Sequence, residues 1–268
     1  MTGRFDALAA ALRPALARHE RLAIAVSGGV DSMVLAHVAQ RQLGSAVRMV
    51  HAVSAAVPGS ATARVQRHAA AHGWRLDLVD AGELADPDYR RNPVDRCYHC
   101  KHHLYATMHR LADGAVASGT NRDDLDDYRP GLLAAQRHGV VHPYVEAGLG
   151  KRDIYALAAA AGLDDLAALP AQPCLASRVE TGIEVDATTL AFIERIEQAL
   201  AARLPQAEAL RCRVTAAGVV VECAPWPDAA CRAALEAEVR AGCEAAGRTF
   251  AGLRPYRRGS AFLRVQVP

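Results

Sequence analysis

The sequence predicts an α/β fold, a parallel sheet with helices on both faces, followed by a small C-terminal α+β domain. Three observations carry this. From residue 22 to about 168, short apolar runs alternate with helical stretches, the pattern of strands joined by crossover helices. Gly44, Gly73, Gly114 and Gly162 stand where those helices should stop, as C-cap positions require. Past about Gly182 the texture changes to helix, hairpin, helix and strand. A chain of 268 residues has room for one large domain and an appendage, divided here into 1–182 and 183–268.

In order, the strands of the first domain are expected at 22–26, 47–53, 75–79 and 115–118, with helices at 30–42, 61–72, 101–112 and 151–161. Segment 80–100, with Pro87 and Pro93, reads as a surface loop. In the second domain 188–204 is an amphipathic helix, its Leu190, Ile193, Ile196, Leu200 and Leu204 at helical spacing. Strands at 210–214 and 219–222 flank the turn Ala216-Ala217-Gly218. A helix about 229–246 and a last strand near 262–267 complete the domain. A ligand should lie beyond the carboxyl ends of the parallel strands.

Composition narrows the function. Lys and Arg total 31 against 29 for Asp and Glu, with no long basic run, so a nucleic-acid partner is not favoured. Arg254, Arg257 and Arg258 are the densest late cluster and read as solvated surface. Arg4, Asp6 and Arg13 interrupt the N-terminus, which therefore lacks a signal-peptide core, and no run approaches a membrane span. The expectation is a cytoplasmic protein, in which seven cysteines read as metal, catalytic or buried thiols rather than disulfides.

The most informative motif is Ser27-Gly28-Gly29-Val30-Asp31-Ser32, between the first strand and the first of those helices. Two glycines let the backbone approach an anion, and the helix N-terminus points N–H groups at it. Ser27 and Ser32 add hydroxyl donors, and Asp31 can hold Mg²⁺. The turn lacks the lysine of a Walker loop, and no G-x-G-x-x-G is present. Its form is that of the pyrophosphatase loop of enzymes that split ATP between the α and β phosphates and adenylate a substrate.

Further candidates follow the strands. Ser118-Gly119-Thr120-Asn121-Arg122-Asp123-Asp124 can line the nucleotide, with Asp123 or Asp124 touching Mg²⁺ or capping a helix. Lys151, after Gly148-Leu149-Gly150, is either a phosphate contact or a surface lysine. His51 and Ser54 end the second strand where a base or ribose sits in such folds, or are plain strand-end residues. Cys97-Tyr98-His99-Cys100 sets two thiols at C-x2-C spacing, and a third, Cys174, stands in Pro173-Cys174-Leu175-Ala176-Ser177-Arg178. Arg178 can favour the Cys174 thiolate. Three thiolates would leave one iron of a cubane cluster open to a sulfide. On spacing alone an iron–sulfur site, a zinc site completed by His99, His102 or His103, and unliganded thiols all stay open. Cys212, Cys223, Cys231 and Cys243 have no ligand spacing and read as core or interface. Arg211 and Arg213 alternate on one strand and so share a face. With Glu222 on the partner strand and Glu197 on the preceding helix, they make either an anion pocket or a surface ion-pair cluster.

These motifs together resemble the LarE-type sulfur transferases, which act in synthesis of the nickel-pincer cofactor of lactate racemase. The carriers are the Ser27–Ser32 turn, Arg96-Cys97-Tyr98-His99-Cys100-Lys101, Gly119-Thr120-Asn121 through Asp127-Tyr128-Arg129-Pro130-Gly131, and the Pro173–Arg178 run. The resemblance implies a PP-loop ATP pyrophosphatase domain with a small C-terminal domain, in a homo-oligomer for which a hexamer is one option. It implies ATP and Mg²⁺ used to adenylate a carboxylate of pyridinium-3,5-biscarboxylic acid mononucleotide. Sulfur then replaces AMP, and a second round treats the other carboxylate. Some members give up the sulfur of the cysteine matching Cys174, which becomes dehydroalanine. Others carry two more cysteines and hold a 4Fe–4S cluster on three thiolates, and Cys97 and Cys100 assign this chain to that kind. The implied catalytic set is Cys174, Asp31, Ser177 and Arg178. Arg211, Arg213, Glu222 and Glu197 take the places of substrate or metal binding. One segment departs from the family: Gly252-Leu253-Arg254-Pro255-Tyr256-Arg257-Arg258-Gly259-Ser260 lacks the aspartate often found near there. The rival readings are a PP-loop tRNA thiolase, a non-catalytic ATP-binding or metal-sensing module, and a zinc-stabilised amide ligase. Near-neutral charge and the Pro173–Arg178 run count against the first.

Overall fold

The computed structural model describes residues 2–126 and 129–257. Four short strands, β1 (Leu22–Ala25), β2 (Val47–Ala52), β3 (Leu76–Val79) and β4 (Ala115–Ser118), pair in parallel in the order β3-β2-β1-β4. The helices around them are α1 (Thr2–Ala17), α2 (Val30–Leu43), α3 (Gly59–His72), α4 (Arg96–Leu111), α5 (Pro130–Arg137) and α6 (Lys151–Ala160). Side-chain alternation along β1 explains the cover on both faces. Leu22, Ile24 and Val26 enter one core with α1, α2, α3 and α6, while Ala23 and Ala25 enter another with α4 and α5. The α/β class expected from the sequence is the one observed. Among the described residues no helix is long and apolar enough to cross a membrane.

Helix α1 was not anticipated, although Phe5, Ala9, Leu12 and Leu16 keep helical spacing and are all buried. Gly73 ends α3 in the left-handed conformation, as a C-cap does. Gly114 has a different task. A Cβ there would lie 2.2 Å from the Arg21 carbonyl oxygen, so the glycine admits a neighbouring backbone at the start of β4.

The surface loop expected over 80–100 is corrected. Asp86 accepts from the Asp88 N–H at 2.8 Å and caps the short helix Pro87–Arg90, and α4 already begins at Arg96. Tyr89 and Asn92 are only 1 % exposed. The Asn92 amide donates to the Glu180 and Ile183 carbonyls at 2.8 and 2.9 Å, and Arg96 donates to the Asn92 side-chain oxygen. These polar side chains are buried because backbone groups satisfy them. They tie 84–96 to residues far along the chain.

Accordingly the chain divides into two compact units, Met1–Glu83 with Cys97–Gln172, and Leu84–Arg96 with Pro173–Pro268. The sequence reading had set one cut, at 182/183. The second unit contains α7 (Ala187–Arg203), β5 (Ala209–Thr215), β6 (Gly218–Ala224), α8 (Ala229–Ala245) and β7 (Phe250–Pro255). Asp186 and Asp228 cap its two helices, accepting from Thr189 N–H and Cys231 N–H, each at 2.8 Å. β5 and β6 form the expected antiparallel hairpin, and β7 adds in parallel beside β6 with an irregularity at Val219/Val220. β7 was not expected, and the strand expected at 262–267 lies outside the described residues. Leu210, Cys212, Val219, Val221 and Cys223 are buried with Ile193, Ile196 and Leu200 of α7 and Leu235, Val239 and Cys243 of α8.

Candidate functional site

In the first unit, strand order reverses at β1: β2 and β3 lie to one side and β4 to the other. The crevice at the carboxyl ends of β1 and β4 is therefore the switch point where open parallel sheets bind ligands. The Ser27–Ser32 turn leaves β1 there, and Gly119-Thr120-Asn121 leaves β4 beside it. Proximity is tight enough to require glycine, since a Cβ on Gly119 would lie 2.7 Å from the Ser32 amide nitrogen.

The turn is held by its own hydroxyls. The Ser27 N–H donates to Ser32 Oγ at 3.0 Å, Ser32 Oγ donates to the Gly29 carbonyl at 3.1 Å, and the two hydroxyl oxygens are 3.2 Å apart. Gly28 takes a left-handed φ of 80°, open to glycine at little cost. Gly29, in extended conformation, precedes α2 without a side-chain cap, so the first N–H groups of that helix have no side-chain acceptor at the cap.

Asp31 opens that helix, and three elements converge on it. Lys151 Nζ donates to both of its carboxylate oxygens, at 2.8 and 2.6 Å. Asn121 Nδ2 lies 3.4 Å from one of them, and the Tyr144 hydroxyl donates to the Asp31 carbonyl at 3.1 Å. Burial raises the Tyr144 pKa well above its ordinary value, with the Asp31 charge adding to the effect, which keeps the hydroxyl a donor. Lys151 is aimed by its own helix start: its N–H donates to Asp123 Oδ2 at 2.8 Å, and Asp153 accepts from the Gly150 N–H at 3.1 Å. Asp124 accepts from both the backbone and side-chain amide of Asn121 at 3.1 Å. Asp123 and Asp124 thus cap and brace local backbone. Ser118 Oγ is 2.9 Å from both Thr120 Oγ1 and His142 Nδ1, and burial lowers the His142 pKa.

His51 and Ser54 sit apart from this centre in their bonding. His51 is 1 % exposed, donates from Nδ1 to the Val26 carbonyl at 2.7 Å and accepts at Nε2 from Thr62 Oγ1 at 2.9 Å. Both ring nitrogens are committed, and burial lowers its pKa, so it is a neutral staple between β1, β2 and α3. The Ser54 hydroxyl accepts from the Ala56 N–H at 3.2 Å in the turn after β2.

Cys97 and Cys100 are three residues apart in the first turn of α4 and so lie on one helical face, the first exposed and the second half-buried. His102, one of three histidines offered for a zinc site, meets His138, their nitrogens 2.9 Å apart. Within either unit, no group of three or more His, Cys, Asp or Glu side chains among the described residues is placed to hold a metal ion.

The second unit gathers Cys174, Ser177, Arg178, Glu197, Arg213 and Glu222. Arg178 is 3 % exposed and bidentate on Glu197, Nε and Nη2 meeting its oxygens at 2.9 and 3.0 Å. Its Nη1 donates to the Pro173 and Cys174 carbonyls at 2.6 and 3.1 Å and to Ser177 Oγ at 3.1 Å. Glu197 also accepts from the Cys212 N–H at 2.9 Å. Arg178 therefore clamps the backbone of the cysteine loop. Glu222 is fully buried, with Arg213 at 3.0 Å on one oxygen and Arg254 at 2.8 Å on the other. Arg213 also donates to the Ser177 carbonyl at 2.9 Å. Arg213 and Glu222 are a buried ion pair, and Arg254, read as solvated surface, joins it from a partly exposed position. Arg211 stacks over the Tyr256 ring at 5.7 Å, and burial lowers its pKa. Cys212, Cys223 and Cys243 are buried in the core, where burial raises each thiol pKa, while Cys231 is half-buried.

Two of these residues were not singled out in the sequence: Tyr144 belongs to no motif, and Asn92 fell within the segment read as a loop.

No protein-family model matches the chain. It is 37 % identical over 190 residues to the uncharacterized protein slr1717 of Synechocystis sp., covering 69 % of this chain and 70 % of that one, and it belongs to the same family. It is 25 % identical over 187 residues to the uncharacterized protein MJ0830 of Methanocaldococcus jannaschii, with 68 % and 70 % covered. It is 31 % identical over 159 residues to the pyridinium-3,5-bisthiocarboxylic acid mononucleotide synthase of Lactiplantibacillus plantarum, a match spanning 58 % of each chain.

Proposed function

We propose that this member of the slr1717 family is an ATP-dependent sulfur transferase. It adenylates the carboxylates of pyridinium-3,5-biscarboxylic acid mononucleotide and converts them to thiocarboxylates. The carrying observation is Asp31, a carboxylate at the head of α2 inside a glycine turn at the switch point of a parallel sheet. Similarity to the Lactiplantibacillus synthase supports the choice of acceptor.

An acceptor carboxylate oxygen attacks the α phosphorus of ATP, and pyrophosphate leaves. The N–H groups of the turn and the dipole of α2 stabilise charge developing on the departing group. Sulfide then attacks the acyl carbon and AMP departs. Ser32 and the turn N–H groups bind the triphosphate side, with Lys151 exchanging from Asp31 to phosphate and Asp31 left to hold a cation. A cation fits at Asp31, because the Lys151 ammonium already meets both oxygens. Bound there, Mg²⁺ would neutralise charge on the phosphates.

Arg178 and Glu197 fix the loop that presents Cys174, and Arg211 and Arg213 supply positive charge for the acceptor phosphate. Cys97, Cys100 and Cys174 would hold a 4Fe–4S cluster, and such a cluster would supply a replenishable sulfide and spare Cys174. The C-x2-C pair on one face of α4 supports that assignment for two of the three thiolates. The reading extends to a cytoplasmic homo-oligomer without a nucleic-acid partner.

The test is turnover of anaerobically purified protein with ATP, Mg²⁺, sulfide and the biscarboxylate. Expected are iron and acid-labile sulfide in the protein, stoichiometric pyrophosphate, and an acceptor heavier by one oxygen-to-sulfur exchange per round. Intact Cys174 by mass spectrometry after one turnover supports the cluster route, and dehydroalanine there supports sacrifice of the cysteine. A zinc-loaded protein without pyrophosphate release, or a thiolated tRNA nucleoside as product, overturns the reading.

A further inference from the structure

Helix α3 buttresses the phosphate turn from behind. A Cβ on Gly28 would lie 2.8 Å from the Ala61 carbonyl oxygen, and Thr62 binds His51. Farther along α3, Arg64 reaches to the turn, its Nη1 donating to the Gly28 carbonyl at 2.8 Å. Arg64 is 8 % exposed, a buried cation. Asp165, the carboxylate that attracts Arg64, is 2.9 Å from His68 and 4.0 Å from Arg67, and the Arg67 charge repels that of Arg64. Among the described residues no carboxylate is in contact with the Arg64 guanidinium. A buried guanidinium without a partner anion is costly and stays protonated, so its place behind an anion-binding turn needs a reason.

Backbone geometry supplies one. The Gly28 carbonyl and the Gly29 N–H belong to one planar trans peptide and point in opposite directions. A guanidinium that holds the carbonyl toward α3 turns the N–H into the turn, where it donates to Ser27 Oγ in a long 3.4 Å bond that a phosphate oxygen can replace. It also polarises the peptide, making that N–H a stronger donor.

We propose that Arg64 is a positioning residue for the nucleotide: it sets the Gly28–Gly29 peptide so that its N–H faces the polyphosphate, whose charge in turn balances the guanidinium. This rests on the ATP reading above. The role concerns the β and γ phosphates, not the nucleoside, which gives it a distinct signature.

The experiment measures binding of the non-hydrolysable α,β-methylene ATP and of AMP, by calorimetry, to wild type, Arg64→Met, Arg64→Lys and Arg64→Gln. Arg64→Met should lose about 10- to 100-fold in affinity for the triphosphate, as for removal of one charged hydrogen bond, while AMP affinity stays within about twofold. Arg64→Lys should recover most of the loss. Should the Met variant not fold, the Lys and Gln variants decide, with Lys binding the triphosphate about 10-fold more tightly at equal AMP affinity. Triphosphate affinity independent of residue 64, or equal losses for the triphosphate and AMP, overturns the proposal. A wild type with no affinity for the triphosphate overturns the ATP reading itself, an outcome separate from the other two.

Discussion

Replacing Arg178 with lysine keeps the charge and removes the fork. The guanidinium makes five hydrogen bonds: two to Glu197 at 2.9 and 3.0 Å, and three to Pro173 O, Cys174 O and Ser177 Oγ at 2.6, 3.1 and 3.1 Å. A lysine ammonium can keep Glu197 company but cannot reach both sides of the clamp, because its donors radiate from one atom. Losing the three loop contacts at about 1 kcal/mol net each gives about 3 kcal/mol, and partial relaxation brings the expectation to roughly 2–3 kcal/mol. The effect should be local first. The Ser177 N–H, which donates to the Cys174 carbonyl at 3.0 Å, reports the loop's opening, and about 2 kcal/mol corresponds to roughly 30-fold faster exchange. Hydrogen–deuterium exchange of the peptide spanning 173–179, with urea unfolding alongside, measures both quantities. Exchange at the wild-type rate and a stability change under about 0.5 kcal/mol would refute the clamp.

Asp31→Asn should abolish pyrophosphate release by at least about 100-fold, yet change unfolding free energy by less than about 1 kcal/mol, because its pair with Lys151 is partly exposed; retained turnover argues against a metal role. Gly119→Ala forces a Cβ to 2.7 Å from the Ser32 nitrogen, so a loss of about 1–3 kcal/mol by thermal melting should accompany weaker ATP binding. Glu222→Ala leaves the buried Arg213 uncompensated and should cost about 3–5 kcal/mol in urea unfolding, while Arg254→Ala costs less because Arg254 is partly exposed. His37 is buried and its pKa is lowered to about 4, first by burial and then by His72, Arg41 and His68. Its unfolded pKa lies higher, so between pH 6.5 and 4 the unfolded chain binds the extra proton and stability falls as pH falls. His37→Gln should flatten that slope, by up to about 3 kcal/mol across the window, and an unchanged slope in pH-dependent melting would refute it.

Much of this was legible because local chemistry leaves a local pattern. The unbroken apolar run at 22–26 marks a strand covered on both faces, and the period of 3.6 in 190–204 marks the one apolar face of a helix. The glycine turn was legible because paired glycines and small hydroxyl residues between an apolar run and a helical stretch form a local pattern. Other features left no such mark. Arg254 and Arg64 each look like surface arginines, since an arginine on a helix or strand carries no sign of a buried partner. His51 reads from the sequence as either a base- or ribose-side residue or a plain strand end, and only the positions of Val26 and Thr62 show both ring nitrogens hydrogen-bonded. Asn92 lay in a stretch of proline and charge that resembles a loop.

Sequence alone determined the α/β class, the strand that feeds the glycine turn and the hairpin of the second unit. Those depend on side-chain periodicity and backbone permissiveness within a few residues. Tertiary structure alone decided that Lys151 meets Asp31, that Arg178 grips the cysteine loop, and that Glu222 is shared by two arginines. These are contacts between residues up to 120 apart, and the chain brings them together only after the sheets and helices have buried their apolar faces.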